Sequence, residues 1–576
     1  MQLIIEGHPI TPRPGQSMLD LVRALGLDAE RLSQRPLACD LGGEVFTLNY
    51  VPLREQDNPH STETPRMRKA VKASGGRVKL IYYAEDRGMR VYERSLLFVF
   101  FLAMRVLYPK ARVRVNHAIG PGIYITMENG EALTPADTKA IAAECRRIVN
   151  ADLPLTRKRM HIEDIAEFFA ADGQEDKVRL LTWRNFSYFD VYRHGDYVDY
   201  FYGEMAPSTG YAAVFDLVCA DGGLHLLRPR KDDPDSASAY VPMPKFAGVF
   251  IESGKWGRLM QCKNVADLND KAEGGAFREL IRVNEALHEK RFSEIAGEIH
   301  RRAAKLVLIA GPSSSGKTTS ANRLSTQLRV LGHAPILLSL DDYYIDRHRL
   351  TPDENGEIDL EHINTIDVLQ FNRDIAALLE GQEVETPLFS FKTARREKQG
   401  RRVKLAENTV LVAEGLHALN PALLTANEGG VQIDPRLAYR MYVSALTTLN
   451  LDDHNRIPST DIRLLRRLVR DYANRGASVE RTLSMWDSVR RGEERWIFPY
   501  QETADAIFNT ALVYELAVLK SHIYPLLQSV RPASACYDEV QGILKFLNYI
   551  REFPVPDEIP PTSILREFVG GNTYYK

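Results

Sequence analysis

The segment "KLVLIAGPSSSGKTTSANRLSTQLRVLG", residues 305 to 332, constrains the fold of this 576-residue chain more than any other. An apolar strand-like run, a glycine-rich loop and a helical run follow one another directly, and the loop satisfies the pattern G-x-x-x-x-G-K-[ST]. Backbone N–H groups of such a loop point at the start of the helix, where they bind phosphate. The order therefore predicts a strand, a phosphate-binding loop and a helix within a P-loop sheet.

Strand-like runs continue after the loop in "APILLSLDD", "NTVLVAEG" and "AYRMYVSA", and helical runs separate them. This alternation is typical of a parallel sheet with helices on both faces, and such sheets bind ligands at the carboxyl ends of their strands. Asp341, Asp342 and Glu414 fall at those ends. Asp341 or Asp342 could accept a proton from an attacking hydroxyl, or could cap the next helix. Glu414 suits a Mg²⁺ ion, and a solvated carboxylate is the alternative.

The segment "STDIRLLRRLVRDYANRG", residues 459 to 476, is a helical run rich in arginine. Spacings of three and four residues place Arg463, Arg467 and Arg470 on one face. A run of this kind is commonly a solvated helix face. After a P-loop sheet, it is also typical of a lid that closes over ATP and neutralises charge on the transferring phosphoryl group.

Four motifs, "GPSSSGKTT", "LSLDDYY", "PLFSF" and "EGLHALNP", make residues 303 to 520 resemble the uridine kinase and phosphoribulokinase group of P-loop kinases. The resemblance implies transfer of the γ-phosphate of ATP, with Mg²⁺, to the 5′-hydroxyl of a nucleoside. Uridine and cytidine are the acceptors that the family implies, and thymidine is left open. The family's D-x-F-Y element falls on Asp341 with Tyr344 following, which makes Asp341 the catalytic base. Thr318 and Glu414 take the positions that meet Mg²⁺.

The resemblance also assigns the remaining site residues. Residues implied in catalysis besides Asp341 are Lys317, Arg467 and Arg470. Residues implied in ATP binding are Gly311, Ser313, Ser314, Ser315, Gly316, Lys317, Thr318, Thr319 and Arg475. Residues implied in substrate binding are Asp341, Tyr344, Asp359, Phe389, Arg396 and Arg467.

Two departures from the family's pattern concern the nucleoside base. Phe389 stands where the family has tyrosine, and Ala394 stands where it has the histidine that contacts the base. Fewer hydrogen-bond donors then face a pyrimidine edge, so uridine specificity is not predicted. A competing interpretation is a phosphoribulokinase-like enzyme, whose acceptor is a sugar phosphate bound by Arg395, Arg396 and Lys398.

The front half resembles two other domains. Residues 1–62, with "GQSMLDLVRALG", resemble the ubiquitin-like TGS domain of threonyl-tRNA synthetase. Residues 68–228, with "SLLFVFFLAMRVLYP", "IGPGIYITM" and "DYVDYFYGEMAP", resemble the next domain of that enzyme, where editing occurs. The family's editing residues, an H-x-x-x-H pair and a later Cys and His, fall on Arg94, Phe98, Phe201 and Met205. These side chains supply neither zinc ligands nor a general base, so we predict no editing hydrolysis. A third interpretation is an RNA-binding regulator, in which the front half binds tRNA and the kinase half is an ATP-gated switch.

Composition limits the partners. The chain has 74 Lys and Arg against 76 Asp and Glu, so its net charge of -2 gives no overall attraction to nucleic acid, and any RNA contact would be local. Five cysteines without C-x-x-C spacing indicate neither disulfides nor a zinc site. The apolar run "LLFVFFLAM" is too short to span a membrane, and the N-terminal residues do not form a signal peptide. We expect a cytoplasmic protein with no membrane partner, and an oligomer is left open.

The predicted fold class is multidomain α/β: a P-loop NTPase parallel sheet with helices on both faces, preceded by two α+β domains. Within the front half we expect "REQDNPHSTETPR" to be a linker and "GRVKLIYYA" to be a strand of the second domain. We also expect "AGVFIES" to be a strand, followed by a long helical stretch over 265–304. The expected divisions are 1–62 (TGS-like), 68–228 (editing-domain-like), 229–302 (connecting strand and helices), 303–525 (kinase-like) and 526–576 (C-terminal extension).

Overall fold

The first sheet of this computed structural model contains five strands in the order β2-β1-β5-β3-β4. The structure describes residues 2–52, 63–128, 133–184, 186–350, 359, 361–390, 393–425, 430–531, 534–554 and 556–574. The elements of the first sheet are β1 (Leu3–Ile5), β2 (His8–Ile10), α1 (Met18–Ala24), β3 (Ala38–Leu41), β4 (Glu44–Thr47), α2 (Glu63–Ser74) and β5 (Arg77–Ile81).

Strand β5 is a correction to the expected domain division. It pairs in parallel with β1 and antiparallel with β3, so it belongs to the first sheet and not to the second domain. Its buried residues Val78, Leu80 and Ile81 fill the space between β1 and β3. The expected linker, 54–66, is only partly described: residues 53–62 lie outside the described residues, and helix α2 already begins at Glu63.

The second region contains two antiparallel sheets, ordered β11-β12-β7-β6 and β10-β9-β8. The apolar run forms the buried helix α3, and Thr134 with Asp137 forms the capping box that begins α4, as "TPAD" indicates. The elements are α3 (Asp86–Leu107), β6 (Val113–Ile119), β7 (Gly122–Met127), α4 (Pro135–Asn150), β8 (Thr156–His161), α5 (Ile162–Ala171), α6 (Glu175–Leu181), β9 (Tyr188–His194), β10 (Tyr197–Asp199), β11 (Asp216–Ala220) and β12 (Gly223–Leu227).

Three helices connect the two halves: α7 (Pro244–Leu259), α8 (Val265–Gly274) and α9 (Phe277–Arg301). The expected strand "AGVFIES" is wrong, because it lies inside α7. Pro244 sits in the first turn, where its missing N–H needs no partner, and Phe246 and Phe250 are four residues apart on one buried face. Gly275, with φ +80°, ends α8 and divides the long helical stretch in two.

The rear half contains a five-stranded sheet that is parallel throughout, in the order β14-β19-β13-β20-β21, which confirms the predicted fold class. Two short hairpins, β15 with β18 and β16 with β17, accompany it. The elements are β13 (Leu306–Ala310), α10 (Lys317–Val330), β14 (Ala334–Ser339), α11 (Val368–Leu379), β15 (Val384–Thr386), β16 (Phe389–Ser390), β17 (Arg395–Arg396), β18 (Arg401–Val403), β19 (Thr409–Glu414), β20 (Ala438–Ser444), α12 (Ser459–Arg475), α13 (Val479–Trp496), β21 (Ala506–Asn509), α14 (Glu515–Gln528), α15 (Tyr537–Leu547) and α16 (Arg566–Val569).

Hydrophobic packing crosses the expected division between the two halves. One core contains residues from Leu3 to Leu226, whereas Ile165 and Phe169 of α5 belong to the core that reaches Phe568 and includes the rear sheet. A third core packs α7 against the rear sheet. No helix among the described residues is long and apolar enough to span a membrane.

Candidate active site

The phosphate-binding loop lies between β13 and α10, and its two glycines have no room for a side chain. Gly316 has φ +86°, and a Cβ there would lie 2.7 Å from Cγ2 of Ile564. A Cβ on Gly311 would overlap the carbonyl oxygen of Val443. Glycine is therefore required at both positions, at Gly316 for its left-handed backbone as well as for space.

Polar groups of the loop are arranged to receive an anion. Ser314 and Ser315 are 2% and 0% exposed, and the Oγ atoms of both lack a hydrogen-bond partner in the described structure. The Nζ of Lys317 donates to the carbonyls of Gly311 (3.1 Å) and Pro312 (3.3 Å). Buried polar groups without partners are rare in folded proteins, and here they lie at a helix N-terminus. This loop therefore fits phosphate.

Oxygen donors stand together beside the loop. The Oγ1 of Thr318 donates to Oε1 of Glu414 at 3.0 Å. Burial and, next, the Asp341 carboxylate raise the pKa of Glu414, Lys317 opposes the change, and the resulting pKa is about 7. Within the described residues, no group of three or more His, Cys, Asp or Glu could hold a metal ion. One hydroxyl and one or two carboxylates instead fit Mg²⁺, which keeps water and substrate phosphate as its other ligands.

Asp341 and Asp342 follow β14 in a 3₁₀ turn, Leu340–Tyr343, and have different surroundings. Oδ1 of Asp342 accepts a hydrogen bond from the Phe389 backbone N–H at 3.2 Å. No hydrogen bond to the carboxylate of Asp341 is found among the described residues. Burial raises the pKa of Asp341, whereas Lys317 lowers it. The cap of the turn is Ser339, so neither aspartate serves as the N-cap of the turn that follows β14.

Arg396 supports this turn. Its Nε donates to the carbonyl of Tyr344 and its Nη2 to the carbonyl of Tyr343, both at 2.9 Å. Its Nη1 donates to Oε1 of Gln370 at 2.6 Å. The rings of Tyr344 and Phe389 lie 5.6 Å apart. The structure thus brings Tyr344, Phe389 and Arg396 together beside Asp341, with the Arg396 guanidinium already used in positioning the turn.

Helix α12 carries Arg467, Arg470 and Arg475, the three arginines that the resemblance assigns to the site. Arg467 Nη1 donates to Oγ of Ser313 at 2.9 Å. Arg470 and Arg475 each pair with Oδ1 of Asp471 at 3.3 Å. Arg470 and Arg475 also lie close enough to Asp341 to lower its pKa. Two of the predicted lid arginines, Arg470 and Arg475, are therefore near enough to the predicted base to stabilise its negative charge.

Arg463, which the spacing places on the same helix face, donates to the carbonyl of Ser313 at 3.2 Å and also has a carboxylate partner. It is 2% exposed, and its two Nη atoms donate to the carboxylate of Glu493 on α13 at 2.5 and 2.8 Å. The same carboxylate accepts the Ser313 backbone N–H at 3.0 Å. Arg466 pairs in the same way with Glu515 at 2.6 Å. Sequence reasoning missed both glutamates, although buried arginines require carboxylate partners and "RRGEERW" supplies one.

The far side of the site contains Asp359, Glu361 and His417. Oδ2 of Asp359 accepts from Nε1 of Trp496 at 3.1 Å, so this predicted substrate residue already has a partner. Burial and, next, Glu493 raise the pKa of Glu361, Arg467 opposes the change, and the resulting pKa is about 7. His417 is 1% exposed, and burial lowers its pKa to about 4. His417 is therefore neutral at pH 7, and Arg467 and Lys317 are cations that act on Glu361.

The four editing positions of the front half come together as packing residues. The rings of Phe98 and Phe201 lie 6.2 Å apart, and Met205 is 0% exposed. Nε of Arg94 donates to the backbone carbonyl of Glu204 at 2.9 Å. The absence of editing hydrolysis stays a prediction.

The loop that precedes α12 contacts the front half. The backbone N–H of Val115 donates to the Asp453 carbonyl at 2.8 Å, and the Asp453 carboxylate pairs with Arg114. Nδ1 of His454 lies 2.7 Å from a carboxylate oxygen of Asp199. The segment "LTTLNLDDHNR", residues 446–456, therefore contacts the front half.

Comparison with known proteins agrees with the two resemblances. Residues 306–425 and 455–516 match the family model "Phosphoribulokinase / Uridine kinase family". A uridine kinase from Staphylococcus aureus is 29% identical over 207 residues, which cover 36% of this chain and 87% of that protein. A solved structure described as a possible uridine kinase from Bacillus stearothermophilus is 20% identical, with 36% of this chain and 89% of that chain covered. Its TM-score is 0.24, a value too low to support an argument.

A threonine–tRNA ligase from Syntrophomonas wolfei is 31% identical over 148 residues, which cover 26% of this chain. The chain spans 23% of that ligase and 29% of the one from Geobacter sp. strain M21. The rear half thus contains a domain similar to P-loop kinases of the phosphoribulokinase and uridine kinase family. The front half is similar to part of a tRNA ligase.

Proposed function

We propose that the protein is an ATP- and Mg²⁺-dependent kinase that transfers the γ-phosphate of ATP to the 5′-hydroxyl of a nucleoside. The observation that carries the proposal is the difference between the two aspartates after β14: Asp342 is bonded to Phe389, whereas the Asp341 carboxylate has no hydrogen bond among the described residues. A buried carboxylate without a donor, at the strand end that faces the phosphate loop, suits a general base.

The reaction follows from the neighbours of Asp341. Its carboxylate accepts the proton of the nucleoside hydroxyl as that oxygen forms a bond to the γ-phosphorus. The bond from the γ-phosphorus to the bridging oxygen breaks, and ADP leaves with the electron pair. Lys317 and the lid arginines Arg467, Arg470 and Arg475 stabilise the charge on the transferred group.

Thr318 and Glu414 are the residues that would hold Mg²⁺. The ion would supply charge neutralisation on the phosphates. The remaining polar loop groups, among them Ser314 and Ser315, would bind the triphosphate, and Thr319 would contact it from the first turn of α10.

A neutral acceptor is favoured over a sugar phosphate by the state of Arg396. A phosphorylated acceptor needs free cations, but the Arg396 guanidinium donates to Tyr343, Tyr344 and Gln370. Arg395 and Lys398, the other cations of the competing interpretation, are exposed to solvent. Phe389 and Tyr344 supply apolar surface that suits a nucleobase.

The test is an acceptor panel with γ-labelled ATP. We expect label to move to uridine, cytidine or thymidine, and the product to be the 5′-monophosphate. Transfer to ribulose 5-phosphate alone would replace this function by the sugar-phosphate alternative. Tight tRNA binding at physiological salt, without turnover of any small acceptor, would favour the RNA-binding regulator.

A further inference from the structure

The C-terminal segment 556–574, here called the strap, packs against the phosphate loop. Ile564 and Leu565 are 0% exposed and Phe568 is 1% exposed, so the strap is part of the core. Ile564 occupies the space beside Gly316, and the ring of Phe568 lies 5.0 Å from the guanidinium of Arg466. Arg466 in turn donates to the carbonyl of Ser314 at 3.4 Å. The strap therefore packs against the loop directly through Ile564 and indirectly through Arg466.

Glu567 is the strap residue that reaches the loop's helix. Its Oε2 accepts a hydrogen bond from Oγ1 of Thr319 at 2.6 Å. Thr319 is in the first turn of α10, two residues after Lys317. The side chain of Asn572 also points to this hydroxyl, at 3.5 Å. The carboxylate is close enough to Glu414 to raise the pKa of that residue.

No lysine or arginine pairs with Glu567 in the part of the chain that the structure describes. Its negative charge is instead placed near the N-terminus of α10, which attracts anions. A triphosphate on the loop would use the same helix N-terminus, so the Glu567 charge opposes it. The opposition grows with the negative charge that the nucleotide carries.

We propose that Glu567 is a residue of the nucleotide site that makes the loop select metal-bound nucleotide over metal-free nucleotide. A bound divalent cation removes about two negative charges from the triphosphate, and so removes much of the repulsion from a carboxylate a few ångströms away. Glu567 then has little effect on Mg²⁺–ATP and a large effect on free ATP. Because ATP must bind the loop for this effect to exist, the role rests on the proposed function.

The experiment is isothermal titration of the full-length protein with ATP, once with EDTA and once with excess MgCl₂. The variant Glu567→Gln keeps an oxygen that accepts from Thr319 and removes only the charge. We expect it to bind metal-free ATP about tenfold more tightly than wild type, and Mg²⁺–ATP within about twofold of wild type. Raising the salt concentration should shrink the difference, since ions screen a partly exposed charge.

The matched control is Glu558→Gln, which removes one negative charge from the same strap. Glu558 pairs with Arg278 of α9 at 3.1 Å and has no contact with the loop. This variant should leave both affinities unchanged. An equal gain in both variants would assign the effect to net charge, and an unchanged or weakened affinity for metal-free ATP in Glu567→Gln would overturn the role of Glu567. If wild type binds ATP in neither condition, the proposed function itself fails and this role fails with it.

Discussion

Replacing Asp341 by asparagine tests the proposed chemistry most directly. Asparagine has nearly the same shape but cannot accept a proton from the nucleoside hydroxyl. Asp342 is less suited to this role, because its Oδ1 already accepts from the Phe389 N–H at 3.2 Å. We therefore expect Asp341→Asn to lose the whole contribution of a general base, about 10²- to 10⁴-fold in kcat. That loss corresponds to about 3–5 kcal/mol in the activation free energy.

The same substitution should not destabilise the protein. Burial raises the pKa of Asp341, so the folded state binds its proton more tightly than the unfolded state does. A raised carboxyl pKa means that the free energy of unfolding falls as pH rises toward and through the folded-state pKa. Asparagine carries no charge at any pH. Thermal unfolding of Asp341→Asn at pH 8 should therefore occur at or above the wild-type temperature.

The assay is coupled detection of ADP release under saturating nucleoside, with ATP binding measured separately by calorimetry. The matched control is Asp342→Asn, whose amide oxygen still accepts from Phe389, and which should keep kcat within about threefold. Near-normal turnover in Asp341→Asn would refute the assignment. A large loss in Asp342→Asn, or failing that in a variant of Asp359, would then identify the base.

Three other substitutions test separate parts of the site. Lys317→Ala should weaken ATP binding and lower turnover together, as measured by calorimetry and steady-state kinetics, because in the proposed reaction Lys317 contacts both the bound and the transferring phosphate. Glu493→Ala should lower the free energy of unfolding by about 3–5 kcal/mol in urea titrations, because it leaves the buried Arg463 charge without its partner. Glu361 has a pKa near 7, raised by burial, so its ionisation lowers stability as pH rises from about 4.5 to 7. Glu361→Gln should remove that part of the pH dependence of thermal unfolding, and an unchanged profile would contradict the assignment.

Local patterns predicted much of the site. The strand, glycine loop and helix around Lys317 are contiguous, and each strand end that carries Asp341 or Glu414 follows directly from an apolar run. What the sequence could not predict are partners from distant segments. Glu493 lies 30 residues from Arg463, and Glu567 lies 248 residues from Thr319. Pairs of this kind depend on packing between elements and leave no periodic signal. Arg396 is the opposite case. Its residue type suits substrate binding, but its guanidinium is hydrogen-bonded to the backbone of the turn that contains Asp341.

The two wrong predictions about the fold, those for α7 and β5, also have physical causes. The run "AGVFIES" is short and apolar, which favours a strand. It begins at Ala247, so the helical spacing of Phe246 and Phe250 appears only when the preceding residues from Pro244 are included. The run that forms β5 was recognised as a strand, but its sheet was not, because it pairs with β1 across more than 70 residues. Which strands pair over such separations depends on the sheet edges that are available once the other strands have assembled. The local sequence of a strand does not specify that edge.

The contacts of α3 give the front half a place in the proposed reaction. Arg90 of this helix pairs with Asp461, in the first turn of α12, at 2.9 Å. Glu93, one turn further along α3, accepts from Arg456 in the preceding loop at 2.7 Å. Two of the four positions where the editing family has catalytic residues lie on this same helix: Phe98 is buried, and Arg94 donates to the carbonyl of Glu204. Because α12 is one rigid element, fixing its first turn also fixes the arginines two to four turns later that approach the phosphate loop. In the proposed reaction, the surface of α3 that contacts α12 therefore positions the lid arginines. Positioning of this kind requires no editing chemistry from the front half.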